Sequence, residues 1–254
     1  MHRRVALLVA AALVPAAYSA VVYSNTQART GVVHDLVPAG AASGPERGNS
    51  ITLAGTQRVV TSIDVILRIG DSGVGLFDMQ VRLYANDGPN GDPGTLLWES
   101  ALRRTIIDSG VDLPYRLTVP RVVVPSSITW TVEITNRTMS QAMLGPSTYA
   151  PVTVGSAAPG YWEHSGGMWM HALSGEPAWG AAVNADPLRG DLNCDGRVDN
   201  FDLSPFALAL VDPAAYAAAY PNCTSAHADI NNDGQANNFD IDGFVACIVG
   251  GGCP

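Results

Sequence analysis

The chain has 254 residues, of which 47% are hydrophobic and 15% are charged, a composition typical of folded globular domains rather than disordered or coiled-coil chains. Its formal net charge is −9, and all 14 Lys and Arg positions are arginine. This balance argues against a nucleic-acid partner held through its phosphates. The acid is concentrated in residues 188–254, which hold nine Asp and two Arg.

The first 20 residues have the layout of a signal peptide. A basic start at residues 2–4 precedes an apolar run at residues 5–17, and small residues follow it. We expect cleavage after Ser19 or Ala20, which would give a secreted chain, extracellular or at the cell surface, with no membrane span. The alternative is an N-terminal membrane anchor, since the run is only slightly short of spanning length.

Residues 21–187 alternate apolar and polar side chains with period two, as strands with one buried face do. Gly- and Pro-rich breakers separate the runs, and no helical pattern lies between them. These features predict a mainly β domain, an antiparallel β-sandwich of jelly-roll type. The predicted strands are Ile51–Ala54, Arg58–Ile69, Phe77–Tyr84, Thr95–Trp98, Arg103–Ile107, Tyr115–Val119, Ser127–Thr135, Pro151–Val154, Gly160–His164, Met168–Ala172 and Trp179–Val183.

The same region resembles the jelly-roll-like sandwiches that precede C-terminal anchoring modules in large secreted bacterial proteins. The stretches that carry the resemblance are Asn49–Arg58, Leu83–Pro89, Gly94–Trp98 and Thr129–Glu133. The resemblance implies an architecture and does not supply a reaction.

Catalytic motifs are missing from the sandwich region of the sequence. It contains neither G-x-S-x-G nor H-E-x-x-H. Glu133 and Glu163 have no flanking motif, so we expect them to be solvated strand positions. We therefore predict that the protein is not an enzyme. A glycoside hydrolase would need two carboxylates facing each other in a cleft.

A Ser-Gly-Gly turn at residues 165–167 predicts a hairpin with a distinctive pair of strands. Trp162 and His164 would share one face of the first strand, and Trp169 and His171 one face of the second. Such a patch suits a polysaccharide, through the tryptophan rings, or a metal, through the imidazoles. The alternative is that the tryptophans close one end of the sandwich core.

Two twelve-residue segments of the C-terminal region match each other at an offset of 38 residues. Oxygen-bearing side chains stand at places 1, 3, 5, 9 and 12, glycine at place 6, and place 7 offers its backbone carbonyl, which is the spacing of a calcium loop. The sequence therefore predicts two Ca²⁺ sites. Their ligands are Asp191, Asn193, Asp195, Arg197, Asp199 and Asp202 in the first loop, and Asp229, Asn231, Asp233, Gln235, Asn237 and Asp240 in the second.

Each loop runs into an apolar stripe with helical spacing, and we expect each stripe to bury against its twin. Between the repeats, Asp212 as N-cap and Pro213 at the first helical position predict a further short helix. The matching apolar residues are Phe201, Leu203, Phe206 and Leu210 in the first repeat, and Phe239, Ile241, Phe244 and Ile248 in the second.

The duplicated loop-helix halves, with Asp at the last ligand place of both, resemble a type I dockerin. The resemblance implies a small all-α module of two EF-hand-like repeats that folds with calcium. It also implies docking onto a cohesin-like or other extracellular protein, usually in polysaccharide breakdown. Familiar dockerins carry small hydroxyl residues at places 10 and 11 and basic residues further on. This chain instead has Asn200-Phe201 and Asn238-Phe239, then Ala207-Leu208 and Val245-Ala246.

The four cysteines all lie in this C-terminal module, and in an oxidising compartment they predict two disulfides. No C-x-x-C pair occurs, which argues against metal ligation by cysteine. We favour Cys194–Cys223 and Cys247–Cys253. The alternative is a pair across the module, such as Cys194–Cys253.

Together these patterns predict a signal peptide at residues 1–20, a β-sandwich at 21–187 and a dockerin-like calcium module at 188–254. The expected function is non-catalytic docking or assembly outside the cell. The alternatives are a carbohydrate-binding protein and a divergent glycoside hydrolase. Exposure of Trp162 and Trp169 would favour the first alternative, and two facing acids in a groove would favour the second.

Overall fold

The computed structural model describes residues 19–37, 41–70, 74–108, 110–138, 143–173, 175, 178–250 and 253. The described residues up to Pro187 form one compact unit, and those from Leu188 onward form a second. The expected signal peptide lies outside the described residues except for Ser19 and Ala20. Within the described residues, no helix has the length and apolarity needed to cross a membrane.

The first unit is built from antiparallel strands in two sheets. One sheet has six strands in the order β1-β14-β4-β10-β2, with β8 beside β4; the other has eight in the order β13-β12-β3-β9-β5-β6, with β11 beside β3 and β7 beside β5. The strands are β1 Ala20–Ser24, β2 Arg29–Val33, β3 Glu46–Thr52, β4 Val59–Ile69, β5 Val74–Ala85, β6 Leu96–Glu99, β7 Arg103–Asp108, β8 Asp112–Val123, β9 Ser127–Thr138, β10 Leu144–Tyr149, β11 Ser156–Ala157, β12 Tyr161–Ser165, β13 Met168–Ala172 and β14 Ala181–Asp186.

The core of this unit consists of the inward side chains of both sheets, as the period-two pattern predicts. Along β5, Phe77, Met79 and Val81 are fully buried, and along β9 so are Trp130 and Val132. Their neighbours in sequence point to the other side of each strand. Each fully buried side chain of this size contributes roughly 1.5–3 kcal/mol through the hydrophobic effect. The mainly β, sandwich-like character of the region is confirmed.

One predicted strand is wrong, and β1, β2, β10 and β11 were not predicted. The strand expected at Pro151–Val154 is wrong, because that segment forms only an isolated bridge between Val154 and Ser24. The strand of this region is β10, whose Gly145 and Pro146 read as turn residues in the sequence. All six residues of β10 are buried, so it shows no alternation that would reveal it.

The second unit contains three short α-helices: α1 Leu203–Val211, α2 Pro213–Ala219 and α3 Ile241–Gly250. The Asp212 carboxylate accepts the backbone N–H of Ala215 at 3.0 Å and caps α2, which confirms the predicted short helix. The disulfides are Cys194–Cys223 and Cys247–Cys253, the favoured pairing.

The small core of this unit centres on Phe206 of α1 and Phe244 of α3. Their rings stack at 3.9 Å between centroids with an angle of 7° between planes. The expectation that the whole apolar stripes bury against each other is wrong at their first positions. Leu203 is 48% exposed and Ile241 is 42% exposed, because only the stacked phenylalanines and the residues behind them meet.

Candidate functional site

The carboxylate of Asp202 joins the two ends of the first predicted calcium loop. One of its oxygens accepts the backbone N–H groups of Leu192 at 2.7 Å and Asn193 at 3.0 Å, and the other accepts that of Asp199 at 3.0 Å. Asp240 repeats all three contacts in the second loop at 2.8–3.0 Å. Both aspartates are fully buried. A single side chain therefore closes each loop at the start of the following helix.

The first aspartate of each loop organises the sharp turn. Asp191 accepts the backbone N–H of Asp195 at 3.1 Å with one oxygen and that of Gly196 at 2.9 Å with the other. Asp229 makes the same two bonds at 3.1 and 3.0 Å. Gly196 has φ of 89° and the glycine at the matching place of the second loop has 87°, a region that favours glycine. The requirement for glycine at place 6 is thus met twice.

The intermediate loop places form successive local turns. Asn193, Asp195 and Asp199 each accept the backbone N–H of the residue two positions further on, at 2.8–2.9 Å. The matching residues of the second loop make the same bonds at 2.8–2.9 Å. The two loops therefore share one hydrogen-bond pattern over their whole length.

The carboxylates at the first and last places of both loops are buried. Asp191, Asp202 and Asp240 have no exposed surface, and no ion pair among the described residues involves any of them. Burial raises the pKa of Asp191 to about 6, and the nearby carboxylates of Asp202 and Asp195 add to this rise. Burial also raises the pKa of Asp202. Such uncompensated negative charge is the situation that a bound cation relieves.

The residues of both loops fit calcium by their chemistry. Ca²⁺ takes six to eight hard oxygen ligands, and each loop offers carboxylate, amide and carbonyl oxygens around one turn. Among the described residues, no three His, Cys, Asp or Glu side chains form a ready metal-binding group. The twelve predicted ligand residues all lie in the two loops that share this pattern.

His227 is a residue of this region that the sequence reading missed. Its side chain is fully buried, and its Nδ1 lies 2.7 Å from the backbone oxygen of Asp191. Burial lowers the pKa of this imidazole. The backbone oxygen of His227 also accepts the N–H of Gly190 at 2.8 Å. His227 thus fixes the start of the first loop to the segment just before the second, a contact without any local sequence signal.

An apolar groove of about 300 Å³ lies between α1 and α3. We define the α1/α3 face as the exposed residues that line it. The stacked rings of Phe206 and Phe244 form the floor. The two loop residues Phe201 and Phe239 are also exposed, by 70% and 75%. Soluble proteins rarely leave such apolar surface uncovered without an interaction. The α1/α3 face consists of Leu203, Ala207, Val211, Ile241 and Val245.

The predicted tryptophan–histidine hairpin is formed by β12 and β13. Trp162 lies opposite His171, with the two tilted rings 4.5 Å apart between centroids, and His164 lies opposite Trp169 and stacks on it at 4.7 Å. Each imidazole therefore faces a tryptophan of the other strand. All four side chains share one face of the hairpin, as predicted.

This hairpin folds over the outer surface of the eight-stranded sheet. Four strand spacings, about 19 Å in a flat sheet, separate β13 from β5. The rings of Trp169 and Tyr84 on these two strands are nevertheless only 5.2 Å apart. Neither Trp162 nor Trp169 belongs to the core between the sheets, and both are half-buried. Their ring faces are largely occupied by neighbours within the protein.

Beneath the hairpin, Arg82 gathers three carboxylates. Its Nη1 lies 2.9 Å from Glu46 and 2.9 Å from Glu133, and its Nε lies 2.6 Å from Glu99. Thr131 donates a further hydrogen bond to Glu46, which is buried. Glu133, expected to be a solvated strand position, is therefore half-buried and ion-paired. The cluster holds β3, β5, β6 and β9 together on this surface.

Glu163 likewise has a partner that the sequence did not show. Its carboxylate lies 2.7 Å from Nε of Arg47. The two residues are directly opposite each other on β12 and β3. Glu163 thus holds the hairpin to the sheet.

No protein-family model matches the chain, and no curated protein matches it. Among solved structures, it is similar to structures of infectious bursal disease virus from the Gt and Gx strains. The first is 10% identical, with 66% of this chain and 42% of that chain covered and a TM-score of 0.28. The second is 12% identical, with 67% and 39% covered and a TM-score of 0.19. The chain spans less than half the length of these neighbours.

Proposed function

We propose that the protein is a secreted, non-catalytic docking protein. In this proposal, residues 188–254 form a calcium-binding module similar to a type I dockerin, with two EF-hand-like repeats. The module attaches the preceding β-sandwich to another extracellular protein, in an assembly of the kind that serves polysaccharide breakdown. The observation that carries the proposal is the hydrogen-bond pattern shared by the two loops, in which Asp229 and Asp240 repeat every side-chain hydrogen bond of Asp191 and Asp202.

Calcium, when bound, would supply the positive charge that the buried loop carboxylates lack. Without it, four carboxylates in the first loop and three in the second repel one another and oppose compaction. An ion that binds only the folded form stabilises it by about 2.7 kcal/mol per site at a hundred times its Kd. A unit with so small a core depends on such help.

An oxidising location supports the secreted part of the proposal. Both disulfides, Cys194–Cys223 and Cys247–Cys253, lie in the docking module. Disulfides persist outside the cytosol and are rare within it. The signal-peptide layout of residues 1–20 agrees with this location.

The α1/α3 face is the proposed docking surface. It presents Leu203 and Ala207 from one helix, and Ile241 and Val245 at the matching positions of the other. No charged residue lines the groove between the helices. We therefore expect a cohesin-like or other extracellular protein partner with an apolar contact surface. The lack of basic residues here, compared with familiar dockerins, predicts a partner surface that differs from theirs.

Calorimetric calcium titration of the full mature chain tests the metal sites. We expect two ions per chain, and one per chain in the Asp202→Asn variant. The exposed Asp242→Asn variant removes the same charge outside the loops and should still bind two ions. No heat of binding to the wild-type chain would reject the calcium sites.

Calcium-dependent capture tests the docking surface. The immobilised full chain is exposed to the secreted proteins of the producing cell, with calcium or with EDTA. We expect a partner that is retained only in calcium and is lost with the double variant Leu203→Asp/Val245→Asp. The variant must still bind two calcium ions. No calcium-dependent partner, or equal retention by the variant, would contradict the proposed role of this face.

A further inference from the structure

A cleft of about 570 Å³ opens at the edge of the sandwich, between the β6–β7 segment of the eight-stranded sheet and β8 of the six-stranded sheet. Its volume is within the usual range for small-ligand sites, about 300–1,000 Å³. It is separate from the calcium loops and from the tryptophan–histidine hairpin. We call it the Arg103 cleft. It is lined by residues 98–104 and 116–118, and the carboxylate among them, Glu99, is ion-paired with Arg82.

The floor of the Arg103 cleft is apolar. Trp98 lies opposite Leu83 in the pairing of β6 with β5, and Leu83 is fully buried in the core. Because paired residues share a face, Trp98 also points toward the space between the sheets. Leu117 of β8 belongs to the same core and is 8% exposed. A ligand in the cleft would therefore meet an indole ring at the border of the core.

Arg103 projects from the wall of the cleft across the gap between the sheets. It lies opposite the buried Met79, so its side chain starts on the inner side of β7. Its guanidinium lies 5.7 Å from the centre of the Tyr115 ring and donates one long hydrogen bond, 3.4 Å, to the backbone oxygen of Arg116. Both of these contacts are on β8. The guanidinium is thus placed at the mouth of the cleft.

Arg103 differs from its neighbours in having no carboxylate. Arg104 pairs with Asp78 at 3.1 Å, and Arg116 pairs with Asp64 at 2.7 Å. Within the described part of the chain, Arg103 has no such ion pair. A guanidinium has five N–H donors in a planar fork that matches carboxylate or sulfate oxygens. Most of the donors of Arg103 remain available to a ligand.

We propose that the Arg103 cleft binds an acidic polysaccharide. The carboxylate or sulfate of one sugar residue contacts the Arg103 guanidinium, and the apolar face of its ring packs against Trp98. Since the whole chain carries a net charge of −9, attraction of a polyanion must come from this local site and not from general charge.

Affinity electrophoresis of the full mature chain in calcium tests the proposal. The gels contain polygalacturonate as the carboxylate polymer, dextran sulfate as the sulfated polymer, or plain dextran as the neutral control. We expect retardation by at least one acidic polymer and none by dextran. The polymer that retards the protein identifies the anion that the cleft accepts.

The test variant is Arg103→Met, which removes the charge and keeps an apolar stem. The control is Arg121→Met, which removes the same charge from an exposed arginine that pairs with Asp186 outside the cleft. We expect Arg103→Met to weaken binding by about tenfold or more, as loss of a charge-assisted contact does. Arg121→Met should bind within about twofold of wild type.

Thermal melts of both variants show whether the fold is retained. If Arg103→Met melts early, Arg103→Lys replaces it, because lysine keeps the charge but loses the planar fork and should still weaken binding. Retardation by neither acidic polymer, equal retardation by dextran, or equal effects of the Arg103 and Arg121 variants would overturn the proposal. The gels are repeated in EDTA to distinguish binding at the Arg103 cleft from binding through the proposed calcium module. We expect the cleft to bind the acidic polymer equally well in EDTA.

Discussion

Replacing Asp240 by asparagine gives a sharp test of how calcium and loop closure are linked. The Asp240 carboxylate is fully buried and accepts three backbone N–H groups, from Ile230, Asn231 and Asn237. Asparagine has nearly the same shape, but its amide nitrogen cannot accept the N–H of Asn237. One charge-assisted bond is lost and a buried donor is left without a partner.

The expected cost follows from these contacts. A hydrogen bond to a charged group contributes about 1.5–3 kcal/mol, and this loss applies with or without calcium. In calcium, the variant also loses the stabilisation from one ion, about 2.7 kcal/mol at a hundred times the Kd. We therefore expect a loss of about 4–6 kcal/mol in saturating calcium, and a smaller loss in EDTA.

Thermal melting of the full chain, followed by far-ultraviolet circular dichroism, measures the difference. Helices occur mainly in the C-terminal unit among the described residues, so the helical signal reports on that unit. Asp242→Asn serves as the control, because Asp242 is exposed on α3. The link between this carboxylate and the ion would be refuted by either of two results. One is that Asp240→Asn has the same melting temperature as wild type in calcium, and the other is that EDTA lowers the melting temperatures of both proteins equally.

Three further predictions concern other parts of the molecule. Arg82→Met should destabilise the sandwich by about 3–5 kcal/mol in urea unfolding, because it removes the arginine that pairs with the buried Glu46; a shift under 1 kcal/mol would be inconsistent with this cluster. Gly234→Ala should lower the free energy of unfolding by about 1–2 kcal/mol through its φ of 87° alone, since nothing lies within 4 Å of an added Cβ. Thermal melting in saturating calcium measures this loss, and an unchanged melting temperature would contradict the prediction. Replacing both Cys194 and Cys223 by serine opens a loop with a sequence separation of 29 and should cost about 3–4 kcal/mol, measured by thermal melting; unchanged melting would contradict this.

The sequence predicts best where one local pattern determines the structure. In β5 and β9, alternation of apolar and polar residues assigns each side chain to a face, and the apolar Phe77, Met79, Val81, Trp130 and Val132 are buried. The predicted calcium loops are similar, because each side-chain hydrogen bond of Asp191 and Asp202 joins residues within the same loop. The Asp212 cap of α2 is also local.

Contacts that depend on sheet register could not be predicted in this way. Glu46 and Arg82 lie on different strands, and only the order β3-β9-β5 brings them together. The same is true of Trp169 and Tyr84, which meet because the hairpin folds over the sheet. No single strand contains a signal for either contact, because strand order depends on the packing of the whole domain.

The exposure of side chains in the C-terminal unit was predicted wrongly for a different reason. Helical spacing indicates that Leu203, Phe206 and Leu210 share one stripe, but it does not indicate how much of that stripe a partner helix covers. The helices meet at Phe206 and Phe244, and Leu203 and Ile241 remain exposed. The Arg103 cleft was missed because its walls come from both sheets.

The pairing of the first and last strands of the sandwich also determines how it responds to mechanical force. Ala20 at the start of β1 lies opposite Ala185 near the end of β14, and β1 is the edge strand of its sheet. Tension between the amino end of β1 and the linker after Pro187 would pull both strands from the same end. The hydrogen bonds between β1 and β14 would then break one after another. They would not be loaded together, as they are when strands are sheared past each other. A sandwich held by both ends would therefore begin to unravel at low load.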